Sequence, residues 1–407
     1  MICGLLGRKL AHSYSPQIHS QLGEYEYHLF EKEPDQLSDF LCADDFTGIN
    51  VTIPYKKAVI PYLDDLTDRA KKIGAVNTIV RRQDGRLIGH NTDYFGFLSM
   101  VTRSGLQVDG KKVLVLGSGG ASATAAVVLK ELGANVIVIS RAGENHYGTL
   151  HLHPDTSIIV NTTPVGMYPN TGVSPVDLSL FPQLKGVLDV VYNPARTQLL
   201  MDAERRGLVA INGLWMLIAQ AKESAEWFTG NIISDNVIGQ IYNNLLCQME
   251  NLILIGMPGC GKSTIGRMLA DATGRTFRDA DEEIKIMAGM EIPEIFAAEG
   301  EAGFRKRETE VLSQLGIQSG LVIATGGGCV TREENYPILH QNGRIIWIQR
   351  SLEQLPTEGR PLSQSQDLAL MYAQRKPYYK RFADFIVNND NTLARTLSAI
   401  FNLEELL

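Results

Sequence analysis

The sequence contains few cysteines and no pattern that would pair them. They lie far apart, are odd in number and form no CxxC pair, at Cys3, Cys42, Cys247, Cys260 and Cys329. This distribution argues against a disulfide framework and against a structural zinc site. It is typical of proteins in a reducing compartment, so a cytoplasmic location is expected.

Long apolar runs and an excess of basic residues are also missing. No apolar stretch approaches the roughly 20 residues of a transmembrane helix, and the first residues lack the basic and long apolar regions of a signal peptide. The net charge of −7 argues against nucleic acid or an anionic membrane as a partner. Small molecules are therefore the expected partners, and the oligomeric state stays open.

The 407 residues are enough for two or three domains. Strand-like runs alternate with helical stretches, a pattern that predicts α/β domains with parallel sheets. Lys112–Leu116 is a predicted buried strand, Ala121–Leu132 a helix and Asn135–Ser140 the next strand. The same order restarts at Leu252–Ile255, after a helical stretch and without a linker rich in proline, glycine or serine. The boundary near residue 249 is therefore expected to be tight.

A glycine-rich loop stands at the end of the first of these strands. Gly117–Ser122 has the GxGxxG-like form of a dinucleotide-binding turn between a strand and a helix. Its glycines let the backbone approach a pyrophosphate, and the helix N-terminus offers free N–H groups. Ser122 takes a position that is usually glycine or alanine, so the helix must tolerate a hydroxyl there. The loop residues expected at the nucleotide are Gly117, Ser118, Gly119, Gly120 and Ala121.

The strand after this loop ends at Ser140 and Arg141. An acidic residue at this point is typical of NAD sites, whereas an arginine suits the 2′-phosphate of NADP. Arg141 therefore indicates NADP, while Glu144 just beyond it keeps NAD open. The alternative is that Arg141 is only a solvated surface residue.

A lysine and an aspartate follow two other predicted strands. Lys56 ends the run Asn50–Lys56, and Asp93 ends His90–Asp93. A lysine and an aspartate that converge on a substrate hydroxyl can transfer its proton as hydride leaves the same carbon. Spacing alone does not show that they converge, and each taken singly is more often a surface charge.

A second glycine-rich loop, Gly256–Ser263, matches the GxxxxGK[ST] pattern in full, between a short apolar strand and a helix. In such a loop the backbone N–H groups surround the β-phosphate, Lys262 reaches the β- and γ-phosphates, and the Ser263 hydroxyl binds Mg²⁺. ATP and Mg²⁺ are therefore the expected ligands of the second part. The expected nucleotide contacts are Gly256, Gly259, Cys260, Gly261, Lys262, Ser263 and Thr264.

Charged residues further along indicate a polyol as the acceptor. Asp279 and Asp281 follow a predicted strand, and if that strand continued through them, both carboxylates would lie on one face of it. One would serve Mg²⁺ and the other a hydroxyl. Arg305 and Glu308 lie three apart on a predicted helix, a spacing that holds a guanidinium for a carboxylate or forms only a surface ion pair. Gly326–Gly328 allows close approach of a ligand, or is a simple turn.

The first part of the chain resembles the shikimate dehydrogenase family. The matching segments keep the family order from about residue 3 to 245, at Ser13–Pro16, Asn50–Lys56, Gly74–Thr78, Asn91–Asp93 and Asp189–Pro194, with Thr197, Leu199 and Leu200. The resemblance implies that Lys56 and Asp93 are the catalytic pair. It implies substrate contacts, with the two serines at the carboxylate, from Ser13, Ser15, Thr52, Asn77, Tyr192 and Gln220. It also implies that Ser140, Arg141 and Gly213 help to hold NADP.

The same resemblance implies a two-lobed domain over residues 1–248. A substrate lobe covers about 1–92 and 220–248, a Rossmann-like NADP lobe covers about 93–219, and the last helices return to the substrate lobe. One segment departs from the family, because the stretch between Arg141 and Asn161 is too short for the usual further helix and strand. The adenosine side of the NADP lobe is therefore expected to be trimmed.

The second part, over residues 249–407, resembles shikimate kinase, a P-loop kinase with a parallel sheet. The matching positions are the P-loop, Asp279, Asp281, Ile295–Phe296, Gly300–Glu301, Phe304–Arg305, Gly326–Gly328, Arg360–Leu362, Arg375, Pro377 and Tyr379. The resemblance implies that shikimate is bound by Asp281, Arg305, Gly327, Gly328 and Arg375. It implies that Asp281 holds the reacting hydroxyl, that Asp279 helps to hold Mg²⁺, and that Arg360 contacts ATP from a lid. Lys262, Asp281 and Arg360 are the implied catalytic residues, and the lid segment from Arg350 to Arg360 is shorter and less basic than in the family.

Together the two resemblances imply consecutive reactions. A shikimate dehydrogenase reduces the 3-ketone of 3-dehydroshikimate to a hydroxyl with NADPH, and a shikimate kinase phosphorylates that same hydroxyl with ATP. We therefore interpret the chain as a bifunctional enzyme of aromatic amino-acid biosynthesis. The alternatives are an NAD-dependent quinate/shikimate dehydrogenase in the first part and a catalytically weak, nucleotide-sensing module in the second. Whether shikimate passes directly between the sites stays open.

Overall fold

The computed structural model describes residues 1–10, 13–43, 45–355 and 368–403. Helices and parallel or mixed sheets form both parts of this chain, which confirms the predicted α/β class. The chain divides into a first unit (Met1–Met167, Val173–Tyr192 and Leu199–Tyr242) and a second unit (Tyr168–Gly172, Asn193–Gln198 and Asn243–Leu407). Two short segments from the first part of the sequence thus belong to the second unit, and the functional boundary at residue 249 stays a prediction.

A six-stranded mixed sheet begins the first unit. Its strands are β1 (Ile2–Gly7), β2 (Glu26–Glu31), β3 (Gly48–Val51), β4 (Asp65–Leu66), β5 (Thr78–Arg81) and β6 (Leu87–His90). The helices between them are α1 (Ser15–His19), α2 (Leu37–Cys42) and α3 (Asp68–Ile73). The strand order is β2-β1-β3-β5-β6-β4, and β5 runs antiparallel to both of its neighbours. The strands β3 and β5 are the two central ones and are largely buried, so the side chains at their ends lie at the middle of this sheet.

A five-stranded parallel sheet completes the first unit. Its strands are β7 (Lys112–Leu116), β8 (Asn135–Ile139), β9 (Ile158–Asn161), β10 (Gly186–Asp189) and β11 (Val209–Ile211), in the order β11-β10-β9-β7-β8. The usual order of a dinucleotide-binding sheet is 3-2-1-4-5-6. Here β7 and β8 take positions 1 and 2, and β8 is an edge strand because the segment between it and β9 contains no strand, only an isolated β-bridge between Ser140 and His146, the 3₁₀ helix Tyr147–Leu152, bends and a turn. The short connection indicated by the sequence therefore leaves the sheet without a third strand on that side.

Five longer helices belong to this region: α4 (Asp93–Ser104), α5 (Gly120–Glu131), α6 (Gln198–Arg205), α7 (Leu214–Thr229) and α8 (Asn236–Met249). The helix α4 begins with an acidic residue and ends at Gly105 in the left-handed conformation, with φ of 67°. The helix α7 returns to the first sheet, where the Phe228 ring lies against Gly48, as the family resemblance implied. This return brings the Gln220 side chain to Asn77, which precedes β5, and to Thr92, which follows β6.

The second unit is built on another five-stranded parallel sheet. Its strands are β12 (Asn251–Ile255), β13 (Thr276–Asp279), β14 (Leu321–Ala324), β15 (Gly343–Gln349) and β16 (Phe385–Asn388), in the order β13-β14-β12-β15-β16. Its helices are α9 (Lys262–Thr273), α10 (Ala280–Ala288), α11 (Ile292–Gly316), α12 (Asn335–His340), α13 (Leu368–Phe382) and α14 (Leu393–Phe401). The strand β12 lies between two parallel neighbours and is buried along its whole length, as expected for a continuous apolar run.

The structure corrects one expectation about the acidic pair. Asp279 is the last residue of β13, but Asp281 lies in the first turn of α10 rather than in a strand. The Asp279 carboxylate accepts a hydrogen bond from the Asp281 backbone N–H over 3.1 Å, the geometry of a helix N-cap. The prediction that the two carboxylates share one face of a strand was therefore wrong, because the aspartate that ends the strand also starts the helix.

Among the described residues, no helix combines the length and the apolar character needed to span a bilayer.

The buried position of β12 leads to a stability prediction. Ile253 is fully buried on β12, whereas Ile386 on the edge strand β16 is 51% exposed. Ile253→Ala should lower the free energy of unfolding by roughly 2–5 kcal/mol, because it leaves a cavity in the core. The control Ile386→Ala should cost less than about 1 kcal/mol. Urea unfolding followed by circular dichroism measures both values, and equal effects would contradict the described packing.

Candidate active sites

The first unit contains a cavity of about 260 Å³, which is lined by residues near the ends of strands from both of its sheets. All eight residues predicted for the substrate and for proton transfer line it: Ser13, Ser15, Thr52, Lys56, Asn77, Asp93, Tyr192 and Gln220. Ala121 and Gly213, from the predicted nucleotide set, line it as well. The fold therefore brings together side chains that are up to about 200 positions apart in the sequence, and it places two residues of the predicted nucleotide set beside them.

The predicted lysine and aspartate lie at the centre of this cavity. Lys56 follows β3 and Asp93 begins α4, and the Lys56 Nζ lies 2.5 Å from the Asp93 Oδ2. Their side chains are only 21% and 9% exposed. A pair at this distance can pass a proton to or from a group that enters the cavity. A Cβ on Gly120 would lie 3.6 Å from the Lys56 Cδ, so the start of α5 is within van der Waals contact of the lysine.

Hydrogen bonds fix the orientation of the Asn77 amide. Its Oδ1 accepts from the Thr92 backbone N–H over 2.7 Å, and its Nδ2 donates to the Thr92 Oγ1 over 3.0 Å. The Nδ2 also donates to the Gln220 Oε1 over 3.4 Å. Asn77 and Gln220 are therefore a connected polar wall whose donor and acceptor positions are set before a ligand binds.

The two serines and Tyr192 line another part of the cavity. The backbone N–H of Ser15 donates to the Ser13 Oγ over 3.2 Å, which holds both hydroxyls on one short turn. The Tyr192 ring packs edge-on against Tyr14, with centroids 6.2 Å apart. Burial, together with the neighbouring Tyr14, raises the pKa of the Tyr192 phenol, so this hydroxyl stays protonated and can donate a hydrogen bond.

One polar residue of this cavity was missed. Asn50 is buried and lines it, with its Oδ1 accepting from the Tyr27 hydroxyl over 2.8 Å and its Nδ2 donating to the Ser224 Oγ over 2.7 Å. The signal was present in the sequence, because Asn50 stands two residues before Thr52 and six before Lys56. Side chains two apart on a strand share a face, so Asn50 was a candidate from spacing alone.

The loop after β7 has the geometry of a nucleotide cradle. Gly117 has a φ of +112°, and a Cβ there would lie 2.8 Å from the Thr162 Oγ1. Gly119 caps α5, so the free N–H groups of that helix face the same space. The Ser122 hydroxyl donates to the Gly117 carbonyl oxygen over 2.7 Å, which satisfies the buried hydroxyl that the sequence left unexplained. The open, glycine-lined loop fits a dinucleotide pyrophosphate.

Three further predicted nucleotide residues lie apart from this loop. A Cβ on Gly213 would lie 2.1 Å from the Val190 carbonyl oxygen, so only glycine fits where α7 begins. Arg141 is exposed just beyond the edge strand β8, and the Ser140 hydroxyl donates to the Ala142 carbonyl oxygen. Ser140 and Arg141 do not line the 260 Å³ cavity, and their side chains are available to the adenosine end of a dinucleotide.

The second unit contains a larger cavity of about 720 Å³. The predicted residues that line it are Gly259, Gly261, Lys262, Ser263, Thr264, Asp279, Asp281, Arg305, Gly327, Gly328 and Arg375. Gly256 and Cys260 do not line it. Gly256 packs against the Ile348 carbonyl oxygen, and Cys260 is a fully buried residue of the loop. Arg360, the remaining predicted residue, lies outside the described residues.

The P-loop region contains a cation, Lys262, and two oxygen groups that can bind a metal ion, Ser263 and Asp279. The Lys262 Nζ donates to the carbonyl oxygens of Gly256 and Met257 over 2.9 and 3.1 Å. The Ser263 Oγ donates to the Asp279 Oδ2 over 2.6 Å. A hydroxyl and a carboxylate in contact are the hard oxygen donors that Mg²⁺ prefers beside phosphate. The donor set therefore fits a magnesium–nucleotide complex.

The residues Gly326–Gly328 follow β14 and pack against the charged side chains of the cavity. A Cβ on Gly326 would lie 2.4 Å from the Glu308 Oε1, and one on Gly328 would lie 2.1 Å from the Arg305 Nη2. The Arg305 Nη1 in turn donates to the Glu308 Oε2 over 2.8 Å, and Glu308 is fully buried. The ion pair expected from the i, i+3 spacing is thus part of the cavity wall, and the glycines provide the space for it.

The surroundings of Asp281 favour the protonated form of its carboxyl. Burial raises the pKa of its carboxyl, and the neighbouring Asp279 raises it further. Lys262 and Arg305 act in the opposite direction without reversing the shift. A carboxylate with a raised pKa is a stronger proton acceptor than an exposed aspartate, which suits it to take a proton from a hydroxyl.

Several other cavity residues were not predicted as ligands. Lys285 pairs with Glu282 over 2.8 Å, and both line the opening. Arg350 follows β15 and lies beside Gly259 of the P-loop. Neither Lys285 nor Arg350 belongs to a motif. Arg350 lies beside the P-loop because β15 ends next to β12.

Comparison with known proteins identifies both parts of the chain. A family model described as shikimate dehydrogenase substrate binding domain matches residues 5–79, and one described as shikimate kinase matches residues 258–403. A shikimate dehydrogenase (NADP(+)) of Clostridium perfringens (strain SM101 / Type A) is 36% identical over 267 residues, covering 60% of this chain and 98% of that protein.

Solved structures give the same result for the first part. Shikimate dehydrogenase 1 of Peptoclostridium difficile is 38% identical with a TM-score of 0.56, covering 60% of this chain and 97% of that one. Shikimate 5-dehydrogenase of Thermus thermophilus, in complex with NADP(H) and shikimate, is 31% identical with a TM-score of 0.54, covering 60% of this chain and 99% of that one.

The raised pKa of Asp281 predicts a pH-dependent gain in stability on substitution. Because the folded-state pKa of this acid lies above its unfolded value, ionised Asp281 opposes folding, and stability is lost as the pH rises through the folded pKa. Asp281→Asn should therefore raise the melting temperature of the second unit at pH 8, and the gain should shrink toward pH 4. Scanning calorimetry measures both.

The matched control is Asp271→Asn, at an exposed position on α9, which should leave the melting temperature unchanged at both pH values. A variant Asp281→Asn that is less stable than the parent at pH 8 would contradict the assignment.

Proposed function

The chain belongs to the shikimate dehydrogenase family and carries a shikimate kinase domain after it, and we propose that it catalyses two consecutive reactions on one metabolite. Residues 1–248 reduce 3-dehydroshikimate to shikimate with NADPH. Residues 249–407 transfer the γ-phosphoryl group of ATP to shikimate and form shikimate 3-phosphate. The observation that carries the proposal is that each unit has its own cavity, one around the Lys56–Asp93 pair and one around the P-loop.

In the reduction, Lys56 supplies the proton. The 3-keto group of the substrate lies at the Lys56 Nζ, and Asp93, 2.5 Å from that atom, holds the ammonium in place. NADPH, when bound, supplies the hydride to the carbonyl carbon. The proton passes from Lys56 to the carbonyl oxygen, which becomes the new hydroxyl, and Asp93 assists the return of a proton to the lysine.

The remaining polar groups of the first cavity hold the substrate. Ser13 and Ser15 bind its carboxylate through their hydroxyls, and Thr52, Asn77, Gln220 and Tyr192 bind its ring hydroxyls. The fixed amide of Asn77 supports this assignment, because its hydrogen bonds to Thr92 leave one defined orientation toward the cavity. Binding by preset donors orients the ketone before the chemical step.

The dinucleotide is held by the loop after β7 and by residues beyond β8. Gly117–Ala121 and Gly213 would hold the dinucleotide, the loop at its pyrophosphate, and Ser140 and Arg141 would bind the 2′-phosphate of NADP. The exposed Arg141 and the NADP(+) named for the Clostridium perfringens relative support NADP over NAD. Because β8 is an edge strand, few further groups are available there, and Arg141 carries most of the discrimination.

In the phosphorylation, Asp281 accepts the proton of the 3-hydroxyl. The hydroxyl oxygen attacks the γ-phosphorus, the bond to the leaving ADP oxygen breaks, and the proton moves to the Asp281 carboxylate, whose raised pKa favours this transfer. Arg305 and Arg375 hold the substrate carboxylate. Lys262 reorients from its loop carbonyls to the phosphates, and Ser263 with Asp279 would hold Mg²⁺, which supplies charge neutralisation when bound. A contribution from Arg360 rests on the sequence alone.

The two activities should separate cleanly by mutation. Lys56→Ala should lower NADPH oxidation with 3-dehydroshikimate by roughly 10²–10⁴-fold, because it removes the proton donor. Transfer of phosphate from ATP to added shikimate should persist in this variant. Initial rates of the two half-reactions, followed by NADPH absorbance and by labelled phosphate, measure the split. The control Lys57→Ala, at the exposed neighbouring position, should keep both activities.

The reciprocal variant is Lys262→Ala, which should abolish phosphoryl transfer and leave NADPH oxidation intact, because it removes the P-loop cation. Lys380→Ala, an exposed lysine of the same unit, is its control. Retained phosphoryl transfer in Lys262→Ala would overturn the kinase assignment. Absence of phosphoryl transfer in the parent protein would favour the nucleotide-sensing alternative.

A further inference from the structure

Arg350 lines the second cavity beside the P-loop and has no role in the mechanism above. It is the first residue after β15 and is half-buried. Its Nη1 donates to the Gly259 carbonyl oxygen over 3.5 Å, and its Nε donates to the Gln354 Oε1 over 3.5 Å. Both contacts are long and go to uncharged acceptors, so most of the five N–H donors of this guanidinium are available to a ligand.

The backbone holds Arg350 in place from both sides. Gln349 pairs with Asn388 in the parallel ladder, and the Ser351 N–H donates to the Asp390 Oδ1 over 2.6 Å. On the opposite side of β15, the P-loop begins against this strand, because a Cβ on Gly256 would lie 2.4 Å from the Ile348 carbonyl oxygen. The position of Arg350 relative to the P-loop is therefore set by sheet packing.

The charges of the cavity are distributed unevenly. Two of its cations are paired with carboxylates, since Lys285 pairs with Glu282 over 2.8 Å and Arg305 pairs with Glu308 over 2.8 Å, and Arg375 lines the same cavity. At the P-loop end, Lys262 donates hydrogen bonds to two carbonyl oxygens and to the Cys260 Sγ, and Arg350 donates to a carbonyl and an amide oxygen. No carboxylate in the described part of the chain forms an ion pair with either cation, although Asp281 lies within electrostatic reach of Lys262 and Asp390 within that of Arg350. Two cations whose hydrogen bonds go to uncharged partners thus contact the P-loop, where a polyphosphate would meet both.

We propose that Arg350 binds the polyphosphate chain of the nucleotide, next to the P-loop backbone and opposite Lys262. A guanidinium forms paired hydrogen bonds with phosphate oxygens and keeps its charge at all working pH values, so it suits a ligand of high negative charge. The sequence from Ser351 to Gly359 contains no lysine or arginine, so Arg350 at the end of β15 is the nearest cation before Arg360. The proposal rests on the kinase function proposed above and extends it to a residue outside the family motifs.

Nucleotide binding to the full-length chain tests the proposal directly. Isothermal titration calorimetry with ATP, ADP and AMP would compare the parent protein with Arg350→Ala and Arg350→Lys. Arg350→Ala should weaken binding of ATP and ADP by roughly tenfold to a hundredfold, the usual effect of losing a charged hydrogen bond. Binding of AMP should weaken less, and Arg350→Lys should recover part of the loss because it keeps the charge.

The controls separate this claim from folding defects and from the kinase assignment. Arg381→Ala removes an exposed arginine that pairs with Glu333 outside the cavity, and it should bind all three nucleotides like the parent. The KM for shikimate should be unchanged in Arg350→Ala. ATP affinity equal to the parent in Arg350→Ala, or an equal loss for ATP and AMP, would overturn the proposal while leaving the kinase function intact. A parent protein that binds no ATP would overturn both.

Discussion

Neighbouring parallel strands end at the same edge of a sheet, and both proposed active sites depend on this constraint. The strands β7 and β12 each lie between two parallel neighbours, and each runs directly into a glycine-rich loop and a helix. Each loop therefore lies beside the segments that follow the neighbouring strands. After β14 this is the run of three glycines with the charged side chains behind it, and after β15 it is Arg350. Much of the chemistry of the second unit lies in these short segments beyond the strands, and Arg305 and Arg375 reach the same cavity from α11 and α13.

The two sites handle charge differently, in line with their proposed reactions. In the first cavity Lys56 and Asp93 neutralise each other at 2.5 Å, which suits a proton shuttle to a neutral ketone. In the second cavity Asp281 has a raised pKa because it is buried beside Asp279, and the hydrogen bonds of Lys262 and Arg350 go to uncharged partners. A site that must bind a highly charged nucleotide and also remove a proton needs both kinds of group.

Much of this architecture could be predicted from local sequence, because strands, glycine loops and helix starts are local features. The strand Lys112–Leu116 was predicted with the observed limits. The strand before the P-loop, predicted as Leu252–Ile255, begins one residue earlier, and the helix after it begins at Lys262 within the P-loop motif. Contacts between distant segments could not be predicted in the same way. The meeting of Lys56 with Asp93 depends on how β3 and β6 are ordered in a mixed sheet, and the spacing of the two residues carries no such information. The local reasoning about Asp281 was wrong because a single aspartate can end a strand and cap a helix. Arg350 had no motif to mark it, and only the pairing of β15 with β12 shows where it lies.

The central claim is that both sites act at the same position of one metabolite. The first site reduces its 3-ketone, and the second phosphorylates the resulting 3-hydroxyl. NADPH with deuterium in place of the hydrogen that is transferred as hydride tests this claim most directly. The full-length protein, given this NADPH with 3-dehydroshikimate, ATP and Mg²⁺, should form shikimate 3-phosphate with deuterium on the carbon that bears the phosphate, as seen by mass spectrometry and NMR. Deuterated shikimate that accumulates without phosphate while ATP remains unused would contradict the account.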